Sequence, residues 1–86
     1  MEFKEELRRE LEKLEDMERI ANEKEIEYDE NPESEEAEQA FDAAYSAEWW
    51  QADKVAKMIH KATGIQERTA RRMLREKRGK LKELLK

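Results

Sequence analysis

The chain has 86 residues, of which 48% are charged and 37% hydrophobic, with a net charge of −5, two glycines, one proline and no cysteine. That size admits one small domain, and the lack of cysteine excludes disulfide staples and thiolate metal sites. No apolar run approaches the roughly 20 residues of a membrane span, and the acidic start is unlike a signal peptide, so a soluble cytoplasmic protein is expected.

Glu, Lys, Ala, Leu and Arg dominate while β-branched and turn residues are scarce, which predicts an all-α chain. The charge is divided along it. Residues 1–53 carry 20 acids and 6 bases, whereas residues 54–86 carry 3 acids and 12 bases. Two origins fit: a basic binding face on an acidic body, or halves that pair with each other inside the fold or across a dimer.

In chain order, the first element is an acidic amphipathic helix over residues 1–30. Phe3, Leu7, Leu11, Leu14, Met17 and Ile20/Ala21 recur at steps of three and four and form one apolar stripe, which needs a second helix to cover it. The break follows at "YDENPESEE". Asn31 reads as an N-cap and Pro32 as the first helical residue, with Glu33, Glu35 and Glu36 near the positive end of the helix dipole. A calcium loop is excluded here, since Ser34 stands where the loop needs glycine and Ala40 where it needs a bidentate acid.

A second helical stretch is expected over 32–62, as one helix or as two meeting near Asp53. Its stripe runs Ala37, Phe41, Ala44/Tyr45, Trp49, Ala52, Val55/Ala56, Ile59 and Ala62, and a short connection at Asn31 implies a long helical hairpin. Trp49 is expected in the core. Trp50, about 100° further round the helix, is expected in a wider core or as an exposed protein-interface residue.

Thr63-Gly64 ends this helix, glycine suiting a left-handed C-terminal position. A basic C-terminal helix is expected over 65–86, with Ala70, Met73, Leu74, Leu81, Leu84 and Leu85 on its apolar side and a bend or frayed tail at Gly79.

Two helices around a glycine turn, the second rich in arginine, resemble a helix-turn-helix over residues 56–75. Gly64 takes the turn position, Ile65 and Ile59 match buried aliphatics, Ala70 and Met73 match buried positions of the second helix, and Thr69 stands in the familiar threonine place. "TGIQERTARRM" is similar to the "xGVSxxTVSRV" run of that family. One departure is His60, four residues before the glycine, where the family usually has alanine. Small chains of this kind resemble regulators of phages and other mobile elements.

The resemblance implies sequence-dependent binding of duplex DNA by a small transcriptional regulator. The second helix would enter the major groove and present Gln66, Glu67, Arg68, Arg71, Arg72 and Arg75, with Lys77, Arg78, Lys80 and Lys82 on the backbone. A homodimer is expected from the short length and the leucine-rich tail, with Trp50, Leu81, Leu84 and Leu85 as interface residues. The competing class is a protein-interaction module working through the acidic half, such as an inhibitor, adaptor or DNA mimic. Enzymatic chemistry is not expected: the one histidine, His60, has no second ligand one turn away, Ser34 and Ser46 lack a base, and no phosphate-binding loop exists. No cofactor and no metal are implied.

Overall fold

The leucine stripe of the first helix finds its cover on the second. The computed structural model describes residues 2–84 as four helices: α1 (Glu2–Glu30), α2 (Glu35–Thr63), α3 (Glu67–Glu76) and α4 (Arg78–Leu84), with no strand among them. The first two form a long antiparallel hairpin. Each has 29 residues, about 44 Å at 1.5 Å per residue, which accounts for the 46 Å long axis of the 46 × 21 × 18 Å molecule.

The hairpin turn lies slightly later than the sequence suggested. Asn31 closes α1 rather than opening α2: its N–H reaches the Glu27 carbonyl at 3.1 Å and its side-chain amide donates to the same oxygen at 3.3 Å. Pro32, which has no N–H to continue the ladder, falls in the turn. Ser34 is the N-cap, accepting from the Ala37 N–H at 3.2 Å, with Glu35, Glu36 and Glu38 in the first turn. Residues 35–63 then run as one helix through Asp53.

At the far end Gly64 sits at φ 78°, and its N–H returns to the His60 carbonyl at 2.8 Å. Nothing lies within 4 Å of the position a Cβ would take there. A Gly64→Ala change is therefore expected to lose about 1–2 kcal/mol from backbone strain alone, read as a lower urea midpoint at unchanged m-value.

The last helical stretch is broken at Lys77 (φ −135°, ψ 44°), not at Gly79, which lies inside α4. The kink turns α4 back over α1, placing Leu81 against the leucine stripe. One core results, at the open end of the hairpin: Leu7, Leu11 and Leu14 from α1, Val55, Ala56 and Ile59 from α2, Ala70 and Leu74 from α3, and Leu81 from α4. Leu81 is only 2% exposed, so it belongs to this core and is not an interface residue. Leu84 is exposed, and Leu85 lies outside the described residues.

Toward the hairpin turn the packing thins to two helices. Ala21 is the one buried apolar side chain on that half among the described residues, and Ile20 and Ile26 are exposed. Tyr28, Phe41 and Tyr45 form a row of ring contacts at 6.0 and 6.1 Å. Trp49, expected in the core, is 48% exposed. The reason is its place at the edge of the α2–α3 contact: the ring opens onto a cleft beside Leu74 and Arg75, and the Arg71 guanidinium stacks over it without burying it.

Buried polar groups tie α1 to α2. The Glu10 carboxylate meets Lys54 at 2.7 Å and Lys13 at 3.3 Å, while Gln51 donates to the Glu10 carbonyl at 2.8 Å. The Lys54 ammonium holds the Glu10 pKa below the usual carboxylate value, against the effect of burial. Because the folded-state pKa is the lower one, this contribution is complete above the ordinary glutamate range and is lost as pH falls through it. Acid unfolding of Glu10→Gln is accordingly expected to show a shallower decline between about pH 5 and 3 than that of the parent chain.

Candidate nucleic-acid interface

α2 and α3 are joined by the three residues Gly64, Ile65 and Gln66, and hydrogen bonds fix the turn from both sides. Thr63 Oγ donates to the Ile59 carbonyl at 2.7 Å and accepts from the Ile65 N–H at 3.2 Å. His60 Nδ1–H donates to the Ile65 carbonyl at 2.8 Å. The imidazole thus leans out of the helix crossing and clasps the turn from its exposed side. Ala56 and Ala70, both fully buried, occupy the tight part of the crossing.

Ala70 and Leu74 point α3 at the core, with Met73 half-buried. The opposite side is basic. At 100° per residue Arg68, Arg72 and Arg75 fall within about 60° of one another, and all three are exposed. Arg72 has an exposed partner one turn on, Glu76 at 3.3 Å, a surface pair worth little. Arg68, Arg75, Lys77 and Lys80 carry no ion pair among the described residues. Gln66 is exposed at the start of α3 without a side-chain cap bond, and Glu67 beside it is half-buried.

Three of the expected DNA-contacting cations point elsewhere. Arg71 is paired with the buried Asp53 carboxylate, which also takes Lys57 at 3.0 Å, and its guanidinium lies 5.5 Å from the Trp49 ring centre. Arg78 grips Glu18 with both terminal nitrogens, Nη2 to Oε2 at 3.0 Å, and its pKa is raised above the usual value by that partner. Lys82 reaches Glu15 at 2.9 Å. In all three cases a carboxylate on α1 or α2 faces the inner flank of α3 or α4, so these cations fasten the basic helices onto the acidic hairpin. Part of the charge division is therefore spent inside the fold.

Beside these pairs a cleft of about 530 Å³ opens where the end of α3 leaves the hairpin uncovered. Tyr45 and Trp49 form one wall, Arg75 and Arg78 the other, and Leu14, Ala52 and Leu74 the floor. Glu48 lies in it half-buried, its pKa raised by desolvation and by the neighbouring Glu18.

One basic row escaped the sequence reading. Trp50, Lys54, Lys57 and Lys61 share the outer face of α2, Trp50 being 66% exposed with its ring 5.0 Å from that of Trp49. The lysine spacing of three and four was the signal. Lys54 and Lys57 answer carboxylates of the core rim, which leaves Lys61 nearest to the turn and without an ion pair among the described residues. No group of carboxylates and histidines capable of holding a metal ion occurs among the described residues, and no helix there is long and apolar enough to cross a membrane. No family model, curated protein or solved structure matches the chain.

Proposed function

We propose that this chain binds duplex DNA through the exposed face of α3, as a small sequence-dependent transcriptional regulator of helix-turn-helix type. The observation that carries this reading is the orientation of the basic residues. Arg68, Arg72 and Arg75 stand on one side of a short helix that projects from a glycine turn, with Lys61, Lys77 and Lys80 around them. A helix of this width enters the major groove, where arginine pairs with guanine and Gln66 at the leading end with adenine. Arg71 and Arg78 are removed from the recognition set, since Asp53 and Glu18 hold them, and their role is to fix α3 and α4 in place.

The acidic hairpin suits this function as a body that repels polyanions, so that only the α3 side approaches DNA. The second reading, a protein-interaction module, draws support from the exposed Tyr45, Trp49 and Trp50 on the same hairpin. The two part on one titration: fluorescence polarisation of a labelled random duplex at about 50 mM salt. DNA binding predicts saturable association that falls steeply with added salt. Absence of any polarisation change leaves the interaction module.

A further inference from the structure

Of the six charged side chains that line the cleft beside Trp49, four are paired with one another across it. Arg71 answers Asp53, and Arg78 answers Glu18. The remaining two, Glu48 on α2 and Arg75 on α3, carry no ion pair among the described residues. Tyr45, Glu48 and Trp49 follow at steps of three and four and so share one side of α2, as Arg71, Leu74 and Arg75 share one side of α3. The cleft therefore offers two rings, an apolar floor and one unanswered charge of each sign.

We infer that this cleft binds a small zwitterion with a planar apolar body, of the class of free aromatic α-amino acids. Its carboxylate lies on Arg75, its ammonium on Glu48 and its ring against Tyr45 and Trp49. The balance of charge selects this class. A simple anion would meet Glu48 in a cleft that also holds Glu18 and Asp53, and a simple cation would meet Arg75. A molecule bearing both charges gives each residue its opposite. The same balance disfavours a nucleic-acid phosphate or an acidic peptide at this place.

The individual groups suit these roles. The planar guanidinium of Arg75 matches a carboxylate with paired donors. Glu48 has its pKa raised by desolvation and by Glu18, the condition of a carboxylate short of a cation. Tyr45 and Trp49 keep 58% and 48% of their surfaces in water, so a ring laid on them covers apolar area that the fold leaves open. Arg71, at 5.5 Å from the Trp49 ring centre, holds that wall in place. The volume of about 530 Å³ falls within the roughly 300–1,000 Å³ of small-molecule clefts.

The site does not rest on DNA binding by α3, and it is measured with no DNA present. For the DNA reading its consequence is regulatory: Arg75 borders the basic face, and a ligand carboxylate on it withdraws one cation from that face.

L-phenylalanine is the probe, because its ring does not absorb where tryptophan is excited. Titrated into the full chain, it should change the tryptophan emission saturably, with half-saturation at or below about 1 mM. Phenylpropanoate, which lacks the amine, and phenethylamine, which lacks the carboxylate, should each bind at least about tenfold more weakly. Glu48→Gln should abolish the preference over phenylpropanoate, and Arg75→Gln the preference over phenethylamine, with the helical circular-dichroism signal unchanged in both. No saturable change up to about 10 mM, analogues that bind as tightly as L-phenylalanine, or preferences that survive both substitutions would each overturn the assignment.

Discussion

Leu14→Ala is expected to cost about 3–5 kcal/mol, among the largest single losses of stability in the chain. The side chain is 1% exposed and stands among the core residues contributed by all four helices. An 86-residue domain has about 4–13 kcal/mol in total, so this one truncation leaves a chain largely or wholly unfolded at 37 °C. Urea unfolding followed by circular dichroism at 25 °C measures it. Ile26→Ala, on the uncovered half of α1, should fall within about 0.5 kcal/mol of the parent. Similar losses at the two positions would mean that the core does not lie at the open end of the hairpin.

The second large effect separates the arginines into two classes. Arg68→Ala/Arg72→Ala should weaken DNA binding by about 10²-fold or more at 50 mM salt, since base-reading contacts carry about 1–3 kcal/mol each, with the thermal midpoint almost unmoved. Arg71→Ala should do the reverse. It leaves the buried Asp53 with Lys57 as its only cation and removes the contact over Trp49, for a stability loss of about 1–2 kcal/mol. Its DNA affinity should change little at a temperature where the chain is folded, and the Trp49 fluorescence should shift. The opposite assignment, with Arg71 essential to binding and Arg68/Arg72 essential to stability, would place the groove-facing side of α3 on its other flank.

The fold was largely readable because helix periodicity reports burial without reference to partners. Leu7, Leu11, Leu14, Val55, Ile59, Ala70 and Leu74 repeat at helical spacing and form the core. Gly64 was readable because a left-handed residue at a helix end has a strong residue preference. The misplaced features are those that depend on tertiary placement or on a distant partner. Trp49 continues the α2 stripe perfectly well. It is exposed because it falls at the edge of the contact with α3, beside an open cleft with only the Arg71 guanidinium over the ring, a matter of tertiary placement that periodicity does not carry. The break at Lys77 has no local signal, whereas the nearby Gly79 has one and is helical.

Within the candidate site, the density of arginine after Gly64 was visible, but its division was not. Arg71 and Arg78 differ from Arg68 and Arg72 only by having Asp53 and Glu18 across from them, the latter pair separated by sixty residues in sequence. A charge run shows how many cations a helix bears; the fold decides which of them meet a carboxylate. Ser34 and Asn31 show the same limit at short range. Both are good cap residues, and the proline between them settled which helix each one served.

The most direct test of DNA recognition by α3 is the slope of log affinity against log salt for a duplex, measured from about 50 to 200 mM for the parent chain and for Arg68→Ala/Arg72→Ala. A basic face of six cations, Lys61, Arg68, Arg72, Arg75, Lys77 and Lys80, displaces counterions whether a given side chain meets a base edge or a phosphate and gives a parent slope of about −3 to −5, and loss of two cations makes it shallower by up to about 2. A parent chain that shows no affinity at 50 mM salt, or a slope that the double substitution leaves unchanged, would contradict it.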